Sequence, residues 1–114
     1  MRSKFLVVAS LCLCGCGSMA QEGAMLAAYR AYEDKDYSHC VVKTSSAELY
    51  GSHSRVMDAQ IMFYKSLCLE GMGQREASIG ILERLARLYP DTDWGAAAAR
   101  KLAPTQSKAS GLSV

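Results

Sequence analysis

An all-α fold of stacked helical hairpins follows from three features of the sequence. Apolar residues recur at i, i+3, i+4 and i+7 through most of the chain. Breaks rich in Gly, Ser and Asp divide that pattern at intervals of one helix length. Only two of the 114 residues are Pro, and runs of β-branched residues are few, which removes the turn-rich all-β alternatives. The length supports one small domain. With 13 Lys or Arg against 11 Asp or Glu, the net charge of +2 offers no clustered basic face and excludes a nucleic-acid binder.

The first element is a targeting segment. Arg2 and Lys4 precede the apolar run Phe5–Cys14, a charged n-region followed by a short h-region. The run is shorter than the roughly 20 apolar residues that a spanning helix requires. Its end, Leu13-Cys14-Gly15-Cys16, resembles the bacterial lipobox, with Cys14 where Ala or Ser is commoner. Small side chains must flank the scissile bond, and the thiol must carry the diacylglyceryl group. Cys12 and Cys14 each follow a bulky Leu, so Cys16 is the expected acceptor. The resemblance implies a signal peptide over residues 1–15 and a lipidated linker over 16–21. It also implies the periplasmic face of the outer membrane, since Gly17 replaces the Asp that retains such proteins at the inner membrane. The alternative is cleavage after Ser18-Met19-Ala20, which gives a soluble periplasmic protein that begins at Gln21 and binds a small ligand or a peptidoglycan fragment.

The helices follow in order over residues 22–103. Glu22–Glu33 places Met25, Leu26, Ala28, Tyr29 and Tyr32 at helical spacing, and Asp34-Lys35-Asp36 ends it. Tyr37–Leu49 resumes the pattern. Gly51–Ser54 breaks it again, with Ser52 or Ser54 as the next cap. Residues 55–70 are apolar nearly all round and therefore central, and Gly71-Met72-Gly73 stops them. Gln74–Tyr89 has Ile79, Ile81, Leu82, Leu85, Leu88 and Tyr89 inside and Arg75, Glu76, Glu83, Arg84 and Arg87 outside. Pro90 closes it, and Thr92 or Asp93 caps the Ala-rich helix Trp94–Ala103. Residues 104–114 show no apolar period and are expected to form a disordered tail.

The two hairpins resemble tetratricopeptide repeats, which are helix–turn–helix units of about 34 residues. Ala24, Ala28, Ala31, Cys40, Thr44 and Ala47 in the first unit match Met62, Ser66, Leu69, Ser78, Leu82 and Leu85 in the second. Asp36-Tyr37 stands at the family's turn dipeptide, and Pro90 follows the second unit. Leu85–Thr92 also resembles repeats of outer-membrane assembly lipoproteins and of periplasmic Tol–Pal coordination proteins. The register here is 38 residues (Ala24 to Met62), and the family's first-helix Trp and Gly are absent. In this register Cys40 and Cys68 lie on adjacent helices. An oxidising compartment favours a disulfide between them over two buried thiols. The family's groove positions carry over to Met25, Tyr29, Tyr32, Gln60, Phe63 and Leu67, with Trp94 or Lys101. The alternative for the aromatics is packing between helices.

Other chemistry finds no support in the sequence. His39, His53 and the cysteines show no zinc-ligand spacing, and no cofactor is implied. No G-x-S-x-G, phosphate loop or H-E-x-x-H motif occurs, and Glu33, Asp34, Asp36 and Glu48 form an acidic cluster with nothing to desolvate it. The expectation is no enzyme. It is instead an outer-membrane lipoprotein, acting as an adaptor or assembly factor that holds an envelope protein partner. Self-association through an uncapped end of the stack is a further expectation.

Overall fold

The computed structural model describes residues 19–52 and 54–112, with 105–112 described by backbone alone. Regular structure among the described residues is entirely helical: α1 over 19–33, α2 (Tyr37–Leu49), α3 (Arg55–Gly71), α4 (Arg75–Leu88) and α5 (Asp93–Leu112). Consecutive helices pack as antiparallel neighbours, and α3 also meets α5 while α2 and α4 do not touch.

Local chemistry sets each boundary. Lys35 (φ 62°) and Gly73 (φ 79°) hold the left-handed conformation that ends α1 and α3. Around Lys35, Asp36 N–H donates to the Ala31 carbonyl at 2.8 Å and Lys35 N–H to that of Tyr32 at 3.0 Å. Around Gly73, Gln74 N–H donates to Leu69 at 2.9 Å and Gly73 N–H to Glu70 at 3.0 Å, the same pair of bonds 38 positions later. A non-glycine residue at this position costs roughly 1–2 kcal/mol, which Gly73 avoids and Lys35 does not. The Asp36 carboxylate caps α2 by accepting from His39 N–H, and Ser54 Oγ caps α3 by accepting from Met57 N–H at 3.2 Å. Thr92 Oγ1 caps α5 by accepting from Gly95 N–H at 3.0 Å and donates to the Tyr89 carbonyl at 2.8 Å.

Burial repeats with the same 38-residue period. Ala28 and Ser66, Ala31 and Leu69, Cys40 and Ser78, Thr44 and Leu82, and Ala47 and Leu85 are all buried pairs. Three core clusters result. Met25, Ala47 and Ile61 form one, and Ala28, Ala31, Cys40 and Cys68 a second. Ala59, Leu82, Leu85, Ala98 and Leu102 join α3, α4 and α5. Cys40 and Cys68 are joined as a disulfide, with Cα atoms 5.9 Å apart, tying α2 to α3 inside the second cluster.

Two boundaries differ from the sequence expectation. Residues 19–21, read above as linker, already belong to α1. The reason is Gln21, only 1% exposed, whose Nε2 donates to the carbonyls of Ala47 (3.1 Å) and Gly51 (2.8 Å). These bonds reach carbonyls at and just beyond the end of α2 and hold the first described turn of α1 in the fold. At the other end, α5 runs on through Pro104 to Leu112 instead of stopping at Ala103. Proline's fixed φ is compatible with a helix, and the loss is one hydrogen bond to the preceding turn. Cys16, the remainder of the signal, and His53 lie outside the described residues.

Two glycines permit close approach. A Cβ on Gly71 would collide with the Tyr37 ring, and one on Gly95 with the carbonyl of Tyr89. Gly95→Ala must push backbone against backbone and is expected to lower stability by about 1–3 kcal/mol in urea unfolding; an unchanged midpoint would contradict this packing. Replacing Cys40 and Cys68 together by Ala is expected to remove roughly 3.5 kcal/mol, the entropic value for a loop with 28 residues of separation. Equal midpoints for the wild type and the double variant would show that the bridge contributes nothing.

Candidate functional site

The stripes of α1, α3 and α5 that do not face α2 and α4 carry a run of aromatic rings. On α1, Tyr29 and Tyr32 follow one another at i, i+3. On α3, Gln60, Phe63, Tyr64 and Leu67 occupy the corresponding stripe. Trp94 opens α5. Tyr64 is the centre of the run. Its ring lies 5.6 Å from Tyr29, 6.3 Å from Tyr32, 6.2 Å from Phe63 and 5.7 Å from Trp94 by centroids. Tyr37 extends the run at 6.0 Å from Tyr32, and Phe63 meets Trp94 at 5.3 Å. Most pairs are edge-on or tilted, the arrangement that the ring quadrupoles favour.

Two shallow depressions flank this run. One, about 240 Å³, is lined by Glu22, Met25, Leu26, Tyr29, Met57 and Gln60. The other, about 230 Å³, is lined by Tyr32, Tyr37, Leu67, Glu70, Gly71 and Lys101, with the Lys101 ammonium 3.5 Å from Glu70. The face is therefore apolar and aromatic along its middle and charged at its margin. Hydrogen bonding to Glu33 first, and then that carboxylate's charge, hold the exposed Tyr29 phenol above its ordinary pKa. Burial, and then the neighbouring Tyr32 and Glu33, do the same for Tyr64. Both phenols therefore stay neutral donors at physiological pH.

Six of the eight residues assigned to the groove fall on this face: Tyr29 and Lys101 are exposed, and Tyr32, Gln60, Leu67 and Trp94 are half-buried, with Tyr32 also packed against the Cys40–Cys68 cluster. Phe63 is divided between the face and the core, because it and Trp94 also pack against the cluster of Leu82, Leu85 and Ala98. Met25 is a correction. It is a core residue packed with Ala47 and Ile61, and it only floors the first depression. Its position one turn before Tyr29 points it between α2 and α3. Tyr64, the ring that joins all the others, was missed as a site residue. The signal was present, since it stands four residues after Gln60 and three before Leu67, but α3 is apolar nearly all round and its faces could not be told apart.

The acidic cluster expected near the first turn does not assemble. Glu33, Asp34 and Asp36 are exposed at one end of the hairpin, and Glu48 lies at the other end of α2, 3.2 Å from Lys65. Among the described residues, no group of three His, Cys, Asp or Glu gathers as a metal site, and no helix is long and apolar enough to cross a membrane. A cleft of about 340 Å³ between α2, α3 and α4 is lined by Glu48, Ser52, Asp58, Lys65, Arg84 and Tyr89 among others. Ser52 bonds to Asp58 there and Lys65 to Glu48, so much of its polarity is already paired. Comparison with protein-family models, with curated proteins and with solved structures finds no match to this chain.

Arg55 closes the end of the stack where α3 begins. Its guanidinium donates to Asp91 Oδ1 at 2.7 Å and Oδ2 at 3.1 Å and to the Leu88 carbonyl at 2.7 Å, and it lies 4.7 Å from the Tyr89 ring centroid. The hydrogen bond from Arg55 holds the Asp91 carboxyl below its ordinary pKa. A carboxyl depressed by folding stabilises the protein above its unfolded pKa, and that contribution is lost as the pH falls through the folded value. Arg55→Gln is therefore expected to flatten the acid limb of a Tm-against-pH profile between about pH 5 and pH 2. Parallel profiles for variant and wild type would count against the pairing.

Proposed function

We propose that this chain is an exported lipoprotein, anchored through Cys16 at the periplasmic face of the outer membrane. It would serve as an adaptor or assembly factor for a cell-envelope complex. The observation that carries the reading is the half-buried aromatic run across α1, α3 and α5, with Tyr29 exposed. It occupies the face on which a tetratricopeptide-like stack holds a segment of a partner protein. The 38-residue repetition of turn geometry and buried positions supports that likeness. Aromatic side chains offer large contact area at small entropic cost, and the depressions beside Tyr29 and Tyr32 could receive anchoring side chains. The charged margins of the face suit the polar rim of such an interface. Nothing in this reading calls for a cofactor or a catalytic group.

The soluble alternative, cut after Ala20, is less favoured by one observation. It would make Gln21, a buried and doubly bonded side chain, the terminal residue and remove Met19 and Ala20, which are helical here.

Two measurements test the proposal. Metabolic labelling with a palmitate analogue is expected to mark the wild type and to be lost entirely in Cys16→Ser. A photo-reactive residue at Tyr29 or Leu67 is expected to capture one envelope protein on intact membranes, and the same residue at Val42 on α2 is expected to capture none. Retained label in Cys16→Ser would remove the anchor, and equal capture from all three positions would remove the groove.

A further inference from the structure

We propose that the end of the helical stack carrying the start of α1, the α2–α3 connection and the α4–α5 connection rests on the lipid surface, with its apolar side chains in the bilayer interface. This inference rests on the lipoprotein reading and adds an orientation and a second contact to it.

Hydrogen bonds define the end in question. Gln21 ties the start of α1 to the end of α2 through Ala47 and Gly51, and Arg55 ties the start of α3 to the end of α4 through Leu88. At this end Met19 is 72% exposed, Leu49 87%, Tyr50 45%, Val56 57% and Leu88 42%. Among the described residues the opposite end, at the α1–α2 and α3–α4 turns, has one large exposed apolar side chain, Met72, among exposed residues of both charges: Glu33, Asp34, Lys35, Asp36, Arg75 and Glu76. Large exposed apolar side chains are thus concentrated at the first end, beside the exposed Arg55–Asp91 pair.

The chain before α1 selects lipid as the occupant. Only Gly17 and Ser18 separate Cys16 from Met19, which is already helical. Three residues span at most about 11 Å, so an acylated Cys16 brings this end, and no other, against the headgroups. The diacylglyceryl group at Cys16 supplies two acyl chains, so the apolar end needs to add orientation and not the anchoring itself. Leu49, Val56 and Leu88 supply apolar contact. Tyr50 is of the type that favours the interface between water and hydrocarbon.

The test uses acylated, disulfide-bonded full chain in vesicles of phosphatidylethanolamine and phosphatidylglycerol with brominated acyl chains. Leu49→Cys and Val56→Cys place an environment-sensitive fluorophore at the apolar end, and Met72→Cys and Gln74→Cys place it at the far end. Quenching at 49 and 56 is expected to exceed that at 72 and 74 by at least twofold. Equal quenching at the two ends, in protein that floats with the vesicles, overturns this contact and leaves the anchor standing. Protein that fails to float removes the anchor, and this inference with it. A change at 49 that appears equally without vesicles reports association with a second copy and overturns the lipid contact. Two positions at each end keep the comparison decisive if one labelled variant fails to fold.

Discussion

The helices of this protein approach one another closely because the residues between them are small, and most of the architecture follows from that constraint. Ala28, Ala31, Cys40, Thr44, Ala47, Ala59, Ser66, Cys68, Ser78 and Ala98 are all buried at helix contacts. Gly71 and Gly95 carry the constraint further, since the Tyr37 ring and the Tyr89 carbonyl occupy the space a Cβ would need. Close approach gives many weak dispersion contacts but little transferred apolar area per residue. A domain so short has a limited core to begin with. The Cys40–Cys68 bridge sits inside the cluster of small residues, where it constrains the unfolded chain without demanding volume.

The same constraint explains where the large side chains went. Between helices packed on Ala and Ser a ring fits only where a glycine makes room, as Gly71 does for Tyr37, so Tyr29, Tyr32, Tyr64 and Trp94 lie over the outer stripe of α1, α3 and α5 and pack against each other. The rings bury part of one another's surface while leaving another part accessible, so in the proposed role stability and recognition would be linked. An aromatic removed for its binding role would also remove ring packing, so stability must be followed beside capture in any substitution series on this face.

The all-α class, eight of the ten helix ends within a residue or two, the caps at Ser54 and Thr92 as one of two candidates each, and the proximity of Cys40 and Cys68 were legible because each has a local or periodic signal. Capping residues, paired glycines and a 38-residue spacing of small residues leave marks in one dimension. What the sequence hid depends on three-dimensional partners. Gln21 reads as an ordinary polar residue in a linker until the α2 carbonyls that receive its amide are known. Met25 and Tyr29 belong to one apolar stripe, and only the position of α2 and α3 makes one core and the other surface. Tyr64 lay in a helix with no polar face to set its direction. Pro104 has a strong local meaning as a breaker, which the backbone of α5 overrides.

Gln21 has a consequence for the anchored molecule. A lipid tether joined to a fold by a flexible linker leaves the domain free to turn, and its binding face then samples all orientations. Here α1 is helical from Met19 and is pinned at Gln21 to the end of α2, so the rigid body starts within three residues of the proposed anchor. Helices α1, α3 and α5 run parallel away from that point, and the aromatic run crosses α1 toward its end, α3 near its middle and α5 at its start. A 15-residue helix is about 22 Å long, so the face would stand less than one small-domain diameter above the membrane. A partner segment reaching it would come from a protein that is itself close to the same surface, which ties the choice of partner to the short tether as much as to the rings.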